Sequence, residues 1–227
     1  MQFIYYATLN LITIVIAVYL AIRTHFQLTK KDHANVVFIV LLWFLAVMCV
    51  CDIVAVFFEG TNKPFAHEVV YHMNALYFFT QCFDAYLWAV FFLIKTDYIS
   101  TKKSVQIGIA VPFLVFLVIL IANPLNHYFF FVNDQNIYQR GSLIFIHWIV
   151  ELFYVLIIVG SILRRYFQSR NKAVRLEYLS YMVFFIPFLL GSGEVMQQIL
   201  NQGVDRAVLN VNDGRLIPYN VLMYFGS

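Results

Sequence analysis

The run "NALYFFTQCFDAYLWAVFFLIKTDY", Asn74–Tyr98, decides how the chain is read. It belongs to an apolar stretch long enough to cross a bilayer, which takes roughly 20 residues. Yet Asn74, Gln81 and Asp84 sit inside it. His67 and Tyr71 lie just before it. Together, His67, Tyr71, Asn74, Tyr77, Gln81, Asp84 and Trp88 recur at steps of three and four, which puts them on one face of a helix. A polar and aromatic stripe on an otherwise apolar span faces a bundle interior or a wet cavity, because an ionisable side chain facing lipid is costly.

Composition supports a membrane setting for the whole chain. Hydrophobic residues make up 62% and charged residues 12%, with 24 Phe and 15 Tyr. Soluble domains carry about 45–50% and about 25%, and cannot hide this much apolar surface. Six segments are long enough to span, near 3–22, 36–58, 70–94, 104–122, 142–163 and 176–200. The N-terminus lacks a basic leader and a small-residue cleavage site, so the first segment reads as a retained span. The expected fold class is an all-α integral membrane bundle of six to seven transmembrane helices with a short β-hairpin-like outer loop. Residues 1–203 form the bundle. Residues 204–227 form a divergent or truncated tail that replaces or begins a seventh span, since Leu216–Phe225 is too short to cross and holds Pro218.

Basic residues set the orientation. Arg23, Lys30 and Lys31 lie in the first connection, and Lys95, Lys102 and Lys103 in the third. Arg164, Arg165, Arg170, Lys172 and Arg175 lie in the fifth. The opposite side has only Lys63 and Arg140, plus Arg206 and Arg215 in the tail. The positive-inside rule then places the N-terminus outside and the three basic connections in the cytoplasm. Connections this short are a topology signal rather than a nucleic-acid surface.

The hairpin expectation comes from "YFFFVNDQNIYQRG", Tyr128–Gly141. Strand-favouring Phe129, Phe130, Phe131 and Val132 precede the turn formers Asn133, Asp134, Gln135 and Asn136, and Ile137, Tyr138 and Gln139 follow. The orientation puts this loop outside, and its aromatic arm is expected to lie among the headgroups at the interface.

Ionisable residues inside the spans are candidates for function: Asp52, Asp84, His147, Glu151 and Glu194. His147, Glu151 and Tyr154 share one helix face, as do Pro187, Gly191, Glu194, Gln198 and Asn201. The candidate ligand or signal cavity is therefore lined by Asp52, Asn74, Tyr77, Gln81, Asp84, Trp88, His147, Glu151, Tyr154, Glu194 and Gln198. The outer loop contributes Asn133, Asp134, Asn136, Tyr138, Arg140 and Gly141. Three readings of the polar residues stay open: interhelical hydrogen bonds that hold the bundle, a cavity for a small ligand or a proton, and a proton relay. No glycine-rich phosphate loop, HExxH or nucleophile elbow is present. No catalytic residue, cofactor or metal is expected. Cys49, Cys51 and Cys82 read as apolar filler, and the six histidines are too scattered for a metal site.

Three pieces together carry a resemblance: "CDIVAVFFEG" (Cys51–Gly60), Asn74–Tyr98, and "NPLNHYFFFVNDQNIYQRG" (Asn123–Gly141) leading into "IHWIVELFYVLI". Over about residues 1–203 the chain resembles the N-terminal multi-spanning sensor region of bacterial GGDEF proteins, the putative diguanylate cyclases. A related layout is found in the N-terminal seven-helix region of some histidine kinases. The outer loop, here "FVNDQNIYQRG", is the most specific part. The resemblance implies a sensory bundle in the bacterial cytoplasmic membrane that reports through its last helix to a cytoplasmic output domain and dimerises through it. For the GGDEF type, that domain condenses GTP using Mg²⁺. No such domain occurs in this chain, so it is not expected to be an enzyme. The alternative expectation is a small-solute or proton-coupled transporter, although no internal repeat or matched pair of broken spans supports it.

Overall fold

The computed structural model describes residues 2–27, 33–96 and 103–182. They divide into two compact units, Met1–Ser161 and Ile162–Ser227. In chain order the elements are α1 (Gln2–Gln27), α2 (His33–Phe58), α3 (Ala66–Lys95), α4 (Lys103–Asn126), β1 (Phe130–Val132), β2 (Tyr138–Arg140) and α5 (Phe145–Gln168). In the second unit residues 172–182 are also helical. Arg175 there lies 4.5 Å above the Tyr166 ring. The sixth expected span runs beyond residue 182, so most of it, with Glu194, Gln198 and the tail 204–227, falls outside the described residues.

Among the described residues, five helices are long and apolar enough to cross a membrane, as in a multi-pass membrane protein. Their positions agree with the first five expected spans to within a few residues at each end. The reason is simple: a span must satisfy every backbone group within itself, and a long apolar run can do that only as a helix.

Small residues let α1 and α2 approach. Ala17 and Ala21 of α1 are buried against Leu42 and Ala46 of α2. Leu11, Ile12, Val15, Ile16 and Tyr19 of the same helix are exposed, a face suited to lipid. From α2 onward the packing is aromatic. Phe44 of α2 meets Phe83 of α3 edge-on at 4.8 Å. Phe113 of α4 packs against Phe79, Phe83 and Tyr86 of α3 at 5.3–5.9 Å. Such pairs prefer edge-to-face or offset geometry, so they fix helix rotation as well as filling space.

Tyr154 of α5 is wholly buried, and its hydroxyl enters the α4 hydrogen-bond ladder. It accepts from Phe113 N–H at 3.1 Å and donates to the Ile109 carbonyl at 2.9 Å. Those two groups would bond each other in a regular helix. Pro112, which has no N–H and whose ring crowds the preceding turn, sits beside the gap. One phenol thus repairs a proline-disturbed turn and ties α5 to α4.

The antiparallel hairpin has the register Phe130↔Arg140, Phe131↔Gln139 and Val132↔Tyr138. Its turn is held by Asn133. The backbone carbonyl of Asn133 accepts from Asn136 N–H at 2.9 Å, and its side-chain oxygen accepts from Gln135 and Ile137 N–H at 3.0 and 2.9 Å. Asn136 takes a left-handed φ of 57°, which Asn tolerates better than most residues. The aromatic arm differs from its expected place at the interface. Phe129 and Phe130 are fully buried, while Tyr128 and Phe131 are exposed. The cause is Asn123, which holds their backbone from the end of α4.

Candidate functional site

The site is built downward from the hairpin. Near the end of α4, Asn123 is completely buried. Its side-chain carbonyl accepts from the N–H groups of Phe129 at 2.9 Å and Phe130 at 3.2 Å. Its amide donates to the Phe130 carbonyl at 2.8 Å and to the Tyr71 hydroxyl of α3 at 3.2 Å. Asn123 therefore occupies the place of a neighbouring strand along the outer edge of β1 and draws Phe129 and Phe130 inward. His67 of α3 reaches the Val132 carbonyl on the same edge at 3.3 Å.

The connection between α2 and α3 covers the edge of β2. The Tyr138 N–H donates to the Glu59 carboxylate at 2.9 Å. The Gly60 N–H donates to the Asn136 carbonyl at 3.0 Å, and the Asn136 amide donates to the Thr61 carbonyl at 2.8 Å. Burial holds the Glu59 carboxyl above the usual carboxylate range. The Tyr138 N–H opposes that shift and the Asp52 charge adds to it. Gly141 closes the hairpin, donating its N–H to the Phe129 carbonyl at 2.9 Å. A Cβ at this position would collide with the Tyr128 carbonyl oxygen and lie 2.7 Å from the Phe129 carbonyl carbon. Only glycine fits. Arg140 lies 5.8 Å above the Trp148 ring of α5, and Asp134 points to solvent at the turn.

Beneath the hairpin lies His147, 2% exposed. Three rings from three elements surround its imidazole: Phe78 of α3 at 5.4 Å, Phe116 of α4 at 5.7 Å and Phe129 of the hairpin at 6.5 Å. Its Nε2 is 3.5 Å from the Glu151 carboxylate one turn along α5. Neither imidazole nitrogen has a hydrogen-bond partner among the described residues. Glu151 is faced by Gln81 across the α3–α5 interface. Asp84, one turn further along α3, is 7% exposed, and its Oδ1 is also unpartnered among the described residues.

The structure brings some expected site residues together and separates others. Gln81, His147 and Glu151 converge. Tyr154 lies on the same α5 face but is engaged with α4. Asp52 accepts from Asn10 of α1 at 2.9 Å. Asn74 turns back to the Val70 carbonyl of its own helix at 2.7 Å. Tyr77 is half-buried against Phe78. Trp88 stacks on Phe92 and meets Phe38 of α2 edge-on. Sequence reading did not single out Asn123, Glu59 or the cage of Phe78, Phe116 and Phe129. An Asn–Pro pair ending an apolar span, just before an aromatic run, is the signal that points to Asn123. The three cysteines are buried and free, as expected of apolar filler.

Chemically, the arrangement is a largely buried imidazole–carboxylate pair, faced by an amide and closed on one side by a hairpin phenylalanine. No group of three or more potential metal ligands occurs among the described residues. Comparison with protein-family models, curated proteins and solved structures found no match.

Proposed function

We propose that the chain is the membrane-embedded sensing domain of a bacterial receptor that regulates a cytoplasmic output domain of the diguanylate cyclase or histidine kinase type. The hairpin faces the outside, and the signal is a small ligand or a proton. One observation carries the reading. Polar groups from α3 and α5 meet directly under a hairpin whose own side chain, Phe129, forms part of their enclosure. An event at the hairpin therefore has a mechanical path to the pair on α5, and α5 leads into the strongly basic connection that begins at Arg164. A ligand shifts such a bundle only by its differential affinity for two helix arrangements. In the receptor, the output domain also supplies dimerisation.

The test is a fusion of the bundle to a diguanylate cyclase output in a bacterial host, read as cellular cyclic di-GMP. Deleting Asn133–Asn136 is expected to change output per molecule while leaving membrane abundance intact. Output that simply tracks abundance in every variant would overturn the reading. Asp84, buried with an oxygen unpartnered among the described residues, favours a second reading, transport. Proton flux into proteoliposomes that is abolished by Asp84→Asn would establish transport instead.

A further inference from the structure

We propose that the His147–Glu151 pair, faced by Gln81 and roofed by Phe129, is a proton-binding site whose occupancy is coupled to seating of the hairpin. The inference rests on the sensing reading and names its signal as the proton. His147 and Glu151 expose 3% and 14% of their side chains. Among the described residues, no cation faces the pair. Among the described residues, α3 brings Gln81 and Cys82, with Asp84 one turn further along that helix, and α4 brings the Phe116 ring. The hairpin brings Phe129, with Tyr138 and Arg140 on β2, and α5 adds Tyr154 one turn beyond Glu151. The Arg140 guanidinium sits over Trp148, not over the pair.

A net charge in such a place lacks solvation, so the seated pair is neutral overall and carries one proton between its two members. The open imidazole nitrogens and the 3.5 Å approach give that proton two positions. If the hairpin lifts and water enters, the groups revert toward their ordinary behaviour, about 4.3 for Glu and about 6.5 for His. The wet pair then holds no proton above roughly pH 6.5, one between about 4.3 and 6.5, and two below. The state that binds more protons gains as pH falls. Above roughly pH 6.5 the seated state holds one proton more than the lifted state, so the seated-to-lifted ratio drops about tenfold per pH unit while the seated pair keeps its proton. Between about 4.3 and 6.5 the ratio is flat. Alkalinisation opens the hairpin.

Glu59 is the other titratable group at the seat, so the test uses a Glu59→Gln background, which keeps the acceptor for Tyr138. The full chain in lipid nanodiscs carries spin labels at Asp134→Cys and Asn62→Cys, both exposed positions, while the native cysteines are buried. Pulsed electron–electron distances and the infrared stretch of protonated, isotope-labelled glutamate are followed from about pH 6 to about pH 9. Expected is a longer-distance population that grows about tenfold per unit above roughly 6.5, in parallel with loss of the glutamate band. Both changes should vanish in Glu151→Gln and in His147→Asn. If neither variant folds, the parallel between band and distance in the background protein decides. Distances indifferent to pH, distances that change at a constant glutamate band, or a step that survives Glu151→Gln would each overturn the proposal. A missing pH step with a responsive cyclase fusion defeats the proton alone; an unresponsive fusion defeats sensing.

Discussion

The hairpin and the polar cluster beneath it treat their buried polar groups in opposite ways. In the hairpin, partners are found at every turn: Asn123 serves Phe129 and Phe130, Glu59 serves Tyr138, and Asn133 serves the turn. In the cluster, both nitrogens of His147 and one oxygen of Asp84 go without partners among the described residues. Fully satisfied buried networks rigidify and specify a structure, while each unmet buried group costs roughly 1–3 kcal/mol. The comparison makes the hairpin a unit that holds its own shape whether seated or lifted and makes the cluster beneath it the candidate for function, because a fold selected for stability alone would replace such groups with apolar side chains.

The sharpest way to break the hairpin side is Gly141→Ala. The added methyl meets backbone, which cannot rotate away. A loss of about 3 kcal/mol, at the top of the usual overpacking range, is expected, read as a large fall in melting temperature in detergent or nanodiscs. Next comes Asn123→Ala, which strips partners from Phe129 N–H, Phe130 N–H, the Phe130 carbonyl and the Tyr71 hydroxyl. About 2–3 kcal/mol should be lost, and hydrogen exchange at Phe129 and Phe130 should accelerate. Asn123→Asp keeps the acceptor and should protect those two amides better than alanine does.

A smaller effect concerns pH at the seat. Burial raises the folded-state value of Glu59 above its unfolded one. For a raised group the folded state holds the extra proton. Its contribution is therefore full below the unfolded value, about 4.3, and is lost as pH climbs through the folded value. Hairpin protection should weaken across that window, and Glu59→Gln should flatten the profile there. Protection that rises with pH in the same window would contradict the assignment.

Much of this was legible in the sequence. The five long apolar helices among the described residues followed from apolar length, and the hairpin followed from the Asn/Asp group between β-prone runs. The polar stripe on α3 was readable from spacing, but the neighbour of each residue was not. The stripe divides in three directions: Tyr71 toward Asn123 and Phe130, Gln81 toward Glu151, and Trp88 toward Phe38. Periodicity fixes a direction on one helix and is silent about what stands opposite. The aromatic arm fared worse. Phenylalanine suits both a headgroup interface and a core, and a single distant amide, Asn123, settles which. Tyr154 was picked for its shared face with Glu151, yet its hydroxyl is occupied by the α4 backbone at Pro112.

The account stands or falls on whether the cluster is retained at the expense of stability. Thermal unfolding of Asp84→Asn and Glu151→Gln in lipid nanodiscs measures this directly, since both changes keep shape and remove a carboxylate. Melting temperatures equal to or above that of the wild-type chain are predicted, because at position 84 a buried acid with an oxygen unmet among the described residues gives way to a neutral amide, and at position 151 an amide still faces Gln81. A clear fall in both variants, of the size expected when a satisfied interhelical bond is cut, would contradict it and return the cluster to the role of structural glue.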